Sequence, residues 1–349
     1  MAKVSPAEPE RYHLRLLLLN VKGACSYDDL KSVIDTNGNA KFYLTFKDIK
    51  PSWSLIGSAL LWATIASFGI PFNFCVIYVT IRTKALRGTV NYLLALCSFF
   101  ELLHQHGHFL FLYTALSGLN FIEHRLAAKF LTVSVFGIGG ILPTMLFAGL
   151  DRLIGIGFGE MHYKLVKRSY LALITSVSSF FGIITCLLLY QDAQKYYDEM
   201  ITGCINDLFK HSIIFTTQSL VFIILTCIVY LSVGIVVRIK STGMPSADQI
   251  NQRTFRSLLC IIGVNIGGYL ICFFIAALTK QIISSSITVW FIQIFTGALL
   301  NIGAASPAPI LYFTSTEYRQ AFQTVFPFVF KRFSNMNQII FGTNQPVIN

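Results

Sequence analysis

Seven stretches of this chain are long, apolar and nearly free of charge, and that one feature leaves few folds open. Runs without Asp, Glu, Lys or Arg occupy 51–81, 130–150, 169–191, 211–237, 257–279 and 281–316, and a seventh, 88–122, is interrupted only by Glu101. About 20 apolar residues in helical form cross the roughly 30 Å of hydrocarbon in a bilayer. No water is available there to bond the backbone, so a spanning segment must satisfy its own amides as a helix. The connectors are short, so the helices pack as one bundle. The expected fold is an all-α integral membrane protein, a seven-transmembrane helix bundle.

The charge balance agrees. Only 12% of residues are charged, against about 25% in soluble domains, and the mean hydropathy is +0.63. The net charge of +11 and pI near 9.3 raise the question of nucleic acid. The basic residues sit in short segments between apolar runs, however, where they set topology at a lipid surface. The lipid bilayer is the expected partner and nucleic acid is not.

Lys and Arg also orient the bundle. The turns 82–88, 151–168 and 238–256 and the tail after 316 carry three, four, four and three of them, fourteen in all. The alternate loops carry five (Arg125, Lys129, Lys195, Lys210, Lys280), balanced by Glu123, Asp192, Asp198, Glu199 and Asp207. The side with fourteen is cytoplasmic by the positive-inside rule, which puts the N-terminus outside and the C-terminus inside. The first 50 residues carry eight positives and six acids. Leu14–Val21 is too short and too interrupted for a secretory signal, and no Asn-x-Ser/Thr sequon occurs. Of eight cysteines, six fall inside apolar runs and read as packing residues; only Cys25 and Cys204 lie in polar segments.

Polar groups inside hydrocarbon are expensive and mark functional candidates. Asp151-Arg152 closes the third run, in AGLDRLIGIGF. The pair is either a topology anchor or a switch in which Arg152 changes partners between neighbouring helices and an incoming protein. Glu101 is either a hydrogen-bonded bundle carboxyl or a sodium- or proton-responsive group linking the second, third and seventh helices. His104, His106 and His108 form HQHGH, with 104 and 108 on one helical face. No second helix offers a cluster of ligands, so no metal is expected and the histidines read as hydrogen-bonded bundle residues. After Tyr312, Thr314-x-x-Glu317 has capping-box spacing. Tyr318, Phe322 and Phe326 recur every four residues, the pattern of a short amphipathic helix lying on the inner leaflet. Pro327 should end it.

These elements resemble the rhodopsin-like G-protein-coupled receptors. Asp151-Arg152-Leu153 is similar to that family's Asp-Arg-Tyr element, and Asn73 in GIPFNFCVIYV to its first-span asparagine. Glu101 falls where the family usually has a second-span Asp, Tyr230 matches the fifth-span tyrosine, and Pro309-Ile310-Leu311-Tyr312 resembles the end of Asn-Pro-x-x-Tyr. More narrowly, CSFFELLHQHGH, FAGLDRLIG and ILYFTSTEYRQAF resemble the nematode serpentine chemoreceptors of the sx class (Srsx), over roughly residues 55–325. The chain departs from the pattern at Ala308, in place of Asn or Asp. The sixth span lacks Cys-Trp-x-Pro, with Tyr269 the nearest aromatic, although Tyr163 is in place in the loop after Arg152.

The resemblance implies a chemosensory receptor at the plasma membrane, without enzymatic activity or cofactor, that binds a small extracellular molecule and activates a heterotrimeric G protein. It implies a switch at Asp151, Arg152, Tyr230 and Tyr312 and a polar core at Asn73, Glu101 and Pro309. Ligands of helix bundles sit in concave, mostly apolar pockets between helices. The outer halves of the third, fifth, sixth and seventh spans supply Phe130, Ser134, Phe215, Gln218, Phe274, Trp290, Phe291 and Gln293. None of these span halves carries a carboxylate or a Lys, so a ligand with few charges is expected. The expected domains are an extracellular segment over 1–51, the receptor body over 52–313, and an amphipathic helix with a cytoplasmic tail over 314–349. Related receptors tie the outer end of the third span to the following outer loop by a disulfide. Cys204 occupies that loop, but Ala127 and Ala128 stand where its partner would be. Cys204 is thus free, bridged to Cys25, or bonded to another molecule. The alternative reading is a seven-span transporter or channel, which usually shows repeats and charged midplane residues; Glu101 is the one full charge deep in a span. A retinal protein would need a Lys in 281–316, which is absent, and no protease motif occurs.

Overall fold

A helix surrounded by lipid is apolar on every side, so its bundle face is marked by small and polar residues and not by hydrophobicity. The first span follows that rule. In the computed structural model, which describes residues 38–157, 167–197, 199–241 and 248–327, helix α2 (Trp53–Arg82) buries Ala59, Trp62, Ala63, Ala66, Gly69, Asn73, Val76 and Thr80. These recur at three- and four-residue steps, while Phe68, Phe74, Tyr78 and Ile81 point outward.

Helix α1 (Gly38–Phe46) precedes it. The second pass is α3 (Thr89–Gln105) with α4 (His108–Leu116), the third α5 (His124–Gly157) and the fourth α6 (Lys167–Lys195). A short α7 (Ile205–Leu208) leads to the fifth pass, α8 (Ile213–Ser241), and the sixth, α9 (Asp248–Ile282). The seventh is α10 (Ser286–Ala305) with α11 (Pro307–Thr314), followed by α12 (Thr316–Val325). Among the described residues five helices are long and apolar enough to cross a membrane: Trp53–Arg82, His124–Ile156, Arg168–Lys195, Ile213–Ile239 and Ser286–Ala305. The remaining passes are the divided α3–α4 and α9, whose Ile266–Thr279 is a shorter apolar helix.

Helix α5 is the central strut. Its most apolar window is 67% buried against 22% for those of α6 and α8, and it packs on α3, α6 and α8. Its crossing with α3 depends on Gly137, where an added Cβ would stand 2.5 Å from the Phe100 carbonyl oxygen and 2.6 Å from the His104 amide nitrogen. Only glycine allows the two backbones so close.

The single run 88–122 reads as one span, yet it is two helices, with a break at His106-Gly107. Ser134 Oγ, on α5, donates to the His104 carbonyl, the acceptor that an unbroken helix would give to the amide of residue 108. The Gly107 amide turns back to the same carbonyl over three residues, at 3.2 Å. The seventh pass breaks at Ser306, where Pro307 starts a new helix at a position that needs no amide hydrogen.

At one end of the bundle Ile122 pairs with Ile201 and Glu123 with Met200 in an antiparallel two-stranded hairpin. This is the hairpin end; the opposite, Asp-Arg end holds Asp151 and Arg152. At the Asp-Arg end α12 starts one residue later than the Thr314 spacing predicts. Ser315 is the N-cap and its Oγ accepts from the Tyr318 amide at 3.3 Å, because Thr314 is spent on the last turn of α11, donating to Ile310 O at 2.6 Å. The helix ends at Val325, ahead of Pro327. Tyr318 and Phe322 are buried, and the Tyr318 hydroxyl meets Thr80 Oγ1 at 3.0 Å, which seats α12 under the first pass. Burial raises the Tyr318 pKa.

Candidate ligand cavity and switch

A cavity of about 560 Å³ opens between the passes at the hairpin end. Rings of Phe42, Trp62, Phe121, Phe215, Phe273 and Trp290 line it, from α1, α2, the hairpin approach, α8, α9 and α10. That composition suits a small organic molecule.

Its roof is held by a set of polar bonds, although Asn120 Oδ1 and both His124 ring nitrogens are buried without a partner among the described residues. Asn120, in the left-handed region at φ 60°, donates from Nδ2 to the carbonyls of Phe46 and Ile49, both at 2.8 Å. These bonds hold α1 over the mouth, where Phe42 meets Trp290 at 4.7 Å between ring centroids and Tyr43 meets Phe121 at 5.0 Å. Asp207 accepts from the Thr202 amide at 3.2 Å, the Thr202 hydroxyl at 2.7 Å and Trp290 Nε1 at 2.9 Å. Glu199 is paired with Lys210 Nζ at 2.6 Å and His211 Nε2 at 3.0 Å. Burial opposes the Glu199 charge, but these two partners outweigh it and bring its pKa down to about 2.

Cys204 is 1% exposed and is a free thiol among the described residues. Burial and then the Asp207 charge push its pKa well up, which leaves little reactive thiolate. Cys25 lies outside the described residues, as does Tyr163.

Below the cavity a polar chain crosses the bundle. His104 Nδ1 donates to Glu101 Oε2 at 3.2 Å, and the His104 and His108 rings lie 5.2 Å apart. His108 Nε2 donates to Asn301 Oδ1 at 2.8 Å, and Asn301 Nδ2 to Gly297 O at 3.0 Å. Trp62 stacks edgewise on His108 at 4.8 Å and donates to Ile294 O at 2.9 Å. His104 and His108 are thus held in the bundle by hydrogen bonds, and no group of three ligating side chains suited to a metal occurs among the described residues. Asn73 Nδ2 donates to Ala304 O at 2.9 Å, tying the first pass to the seventh beside its break. Pro309 lies within α11.

The Asp-Arg end is built differently. Asp151 is 1% exposed, accepts from Thr89 Oγ1 at 3.2 Å and is hydrogen-bonded by Tyr170. It therefore joins the third pass to the second and fourth. Arg152 beside it is half-buried, and its buried Nε meets no hydrogen-bond partner among the described residues. Tyr230 packs on Gly149 of α5, and its hydroxyl is likewise without a partner among the described residues. Tyr230, Tyr318 and Glu317 all lie within electrostatic reach of Arg152. Tyr312 faces Phe313 and Phe322, at 5.4 and 6.5 Å, and so belongs to the α11–α12 joint.

Of the eight sequence candidates for the pocket, Phe215, Trp290 and Gln293 are on the cavity wall. Phe130 and Phe274 are 61% and 65% exposed, facing outward. Ser134 is the buried tie to His104 at the helix break. Gln218 is half-buried on α8, and Phe291 packs against Phe46 and Trp290. Sequence reasoning passed over Asp207, Asn120, Phe42, Trp62 and Asn301. Trp62, Asn120 and Asn301 were findable, as side chains with polar groups inside the apolar runs. Asp207 and Phe42 sit in segments where periodicity is silent. The placement of Asp207 also revises the expectation drawn from the spans: a carboxylate does reach the cavity, from the loop.

The family model described as "Serpentine type 7TM GPCR chemoreceptor Srsx" matches residues 66–326. No curated protein matches the chain significantly.

Proposed function

The chain belongs to the serpentine seven-transmembrane chemoreceptors of the Srsx family, and from that premise we propose that it binds a small extracellular molecule in the aromatic cavity and activates a heterotrimeric G protein at the Asp-Arg end. The observation that carries the reading is the pairing of two features on one bundle. A cavity of about 560 Å³ lies at one end, and a buried Arg152 Nε without a hydrogen-bond partner among the described residues lies at the other.

An unsatisfied buried donor is costly, so Arg152 gains when a new acceptor arrives. A partner protein offering a carbonyl or carboxylate beside Tyr230 would supply one. Ligand and G protein then favour the same bundle arrangement, and each raises the affinity of the other. The polar chain from Glu101 through His104 and His108 to Asn301 lies between the two ends and joins the second pass to the seventh. In this reading residues 1–51 lie outside, 52–313 form the receptor body and 314–349 lie inside, as the fourteen positives on one side support. Asp151, Arg152 and Tyr230 make the switch, and Tyr312 couples it to α12. Phe215, Trp290 and Gln293 contact the ligand.

The test is expression of the full chain in cultured cells with an epitope before residue 10 and another after residue 340. Antibody should reach the first on intact cells and the second only after permeabilisation. A library of small volatile and soluble organics, read by calcium or cyclic nucleotide, should contain activators. Reversed staining, or responses unchanged by removing the G protein, would overturn the proposal.

A further inference from the structure

Within the proposed ligand site, on which this inference rests, the charges do not balance. Asp207 is 8% exposed and lines the cavity. Its three hydrogen bonds all come from neutral donors: the Thr202 amide and hydroxyl and the Trp290 indole. Lys210 also lines the cavity, but its ammonium stands 2.6 Å from Glu199, which His211 bonds as well. Among the described residues Asp207 thus has no cationic partner. A buried carboxylate without one is costly unless something else supplies the charge, and a carboxylate offers about four acceptor positions, one more than its neighbours use.

Two further observations describe the occupant. Phe42, Phe215 and Trp290 line the same cavity as Asp207, and aromatic faces attract cations as well as apolar groups. Deeper in, Ser219 and Tyr269 also line it, 2% and 6% exposed, and neither hydroxyl has a hydrogen-bond partner among the described residues. Buried polar atoms in folded proteins are nearly always paired, so these hydroxyls also await a partner.

We propose that the ligand is a small organic amine, protonated at neutral pH. Its ammonium sits against Asp207 among the aromatic rings, and a polar group at its far end bonds Ser219 and Tyr269. The charge is read by a loop residue, not by a residue of a membrane span. This is why the spans alone point to an uncharged ligand.

The test uses the full chain, purified in detergent, and three probes of one shape: 2-phenylethylamine, 2-phenylethanol and 3-phenylpropanoate. Binding is followed by the rise in unfolding temperature and by tryptophan fluorescence, since Trp62 and Trp290 line the cavity. The amine should bind at least about tenfold more tightly than the alcohol, the scale expected for a desolvated charge pair with aromatic neighbours. The propanoate should bind weakest. In Asp207→Asn the amine's advantage should vanish while the alcohol still binds. If that variant does not fold, the wild-type ranking decides alone, and Trp290→Phe, which keeps a ring and the carboxylate, should preserve it. An amine that binds no better than the alcohol, whether both bind or neither does, overturns the assignment. So does a preference that survives in Asp207→Asn. The readout is binding without signalling. A chain that prefers amines but never engages a G protein therefore refutes the receptor mechanism alone, and one that signals to neutral ligands refutes the amine alone.

Discussion

The two ends of the bundle differ in how their buried charged side chains are partnered, although the hairpin end also holds Asn120 Oδ1 and both His124 ring nitrogens without a partner among the described residues. At the hairpin end, Asn120 Nδ2 bonds two carbonyls, Glu199 has two basic partners and Asp207 accepts three hydrogen bonds. At the Asp-Arg end, Arg152 Nε and the Tyr230 hydroxyl are buried without partners among the described residues. A satisfied network is rigid, because any displacement breaks bonds in a medium of low dielectric. An unsatisfied donor loses nothing by moving and gains by finding an acceptor. In the proposed mechanism the bonded carboxylates of the mouth hold the ligand site in shape, and the base is poised to rearrange. On that reading recognition and response rest on different physical grounds.

Three experiments bear on that contrast. The largest effect belongs to the base. Arg152→Ala removes the poised donor, so ligand-evoked G-protein activation should fall at least about tenfold, equivalent to about 1.4 kcal/mol. Surface expression and ligand binding at the other end should hold. Wild-type signalling in a nucleotide-exchange assay would break the comparison.

The next effect belongs to the roof. Asn120→Ala strands the carbonyls of Phe46 and Ile49 and should destabilise the docking of α1 by about 1–3 kcal/mol. Amide hydrogen exchange over residues 38–49 should speed up, with no change over 316–325. Equal exchange in variant and parent would mean that the aromatic contacts of Phe42 and Tyr43 suffice to hold α1.

The smallest effect is a pH dependence. The folded pKa of Glu199, about 2, lies below the unfolded value of about 4.3. Its pairing with Lys210 and His211 therefore stabilises the fold fully above about pH 4.3 and is lost as the pH falls toward 2. The side chain is 21% exposed, so the contribution is at most about 1 kcal/mol. Unfolding temperature measured between pH 6 and 2, in the range the detergent tolerates, should decline less steeply for Glu199→Gln than for the parent.

Much of the scaffold was legible because lipid imposes a one-dimensional rule. A run without charge is long enough to cross or it is not, and the runs at 51–81, 130–150, 169–191, 211–237 and 281–316 each hold one of the five long apolar helices. The same rule pointed to Glu101 and to Asp151-Arg152, since a polar side chain in hydrocarbon is conspicuous; Asn73 stood out through the family resemblance. The rule misled at 88–122, where a carbonyl taken by Ser134 and a glycine against α5 divide the helix. Hydropathy carries no information on either. It also could not sort Phe130 and Phe274 from Phe215. All three are apolar residues in apolar spans, and only the first two face outward.

Sequence alone thus determined the all-helical membrane architecture, the chain's family and the positions of the polar residues within its spans. Each of these follows from local composition against a thirty-ångström apolar slab, or from a motif contiguous in the chain. Tertiary structure decided which rings enclose the cavity, that α1 lies over it, and that Asp207 reaches it from a loop. Those facts depend on residues far apart in sequence: Phe46 with Asn120, Asp207 with Trp290, His108 with Asn301. A hydrogen bond or ring contact between such partners is set by how whole helices cross, and no local periodicity records it.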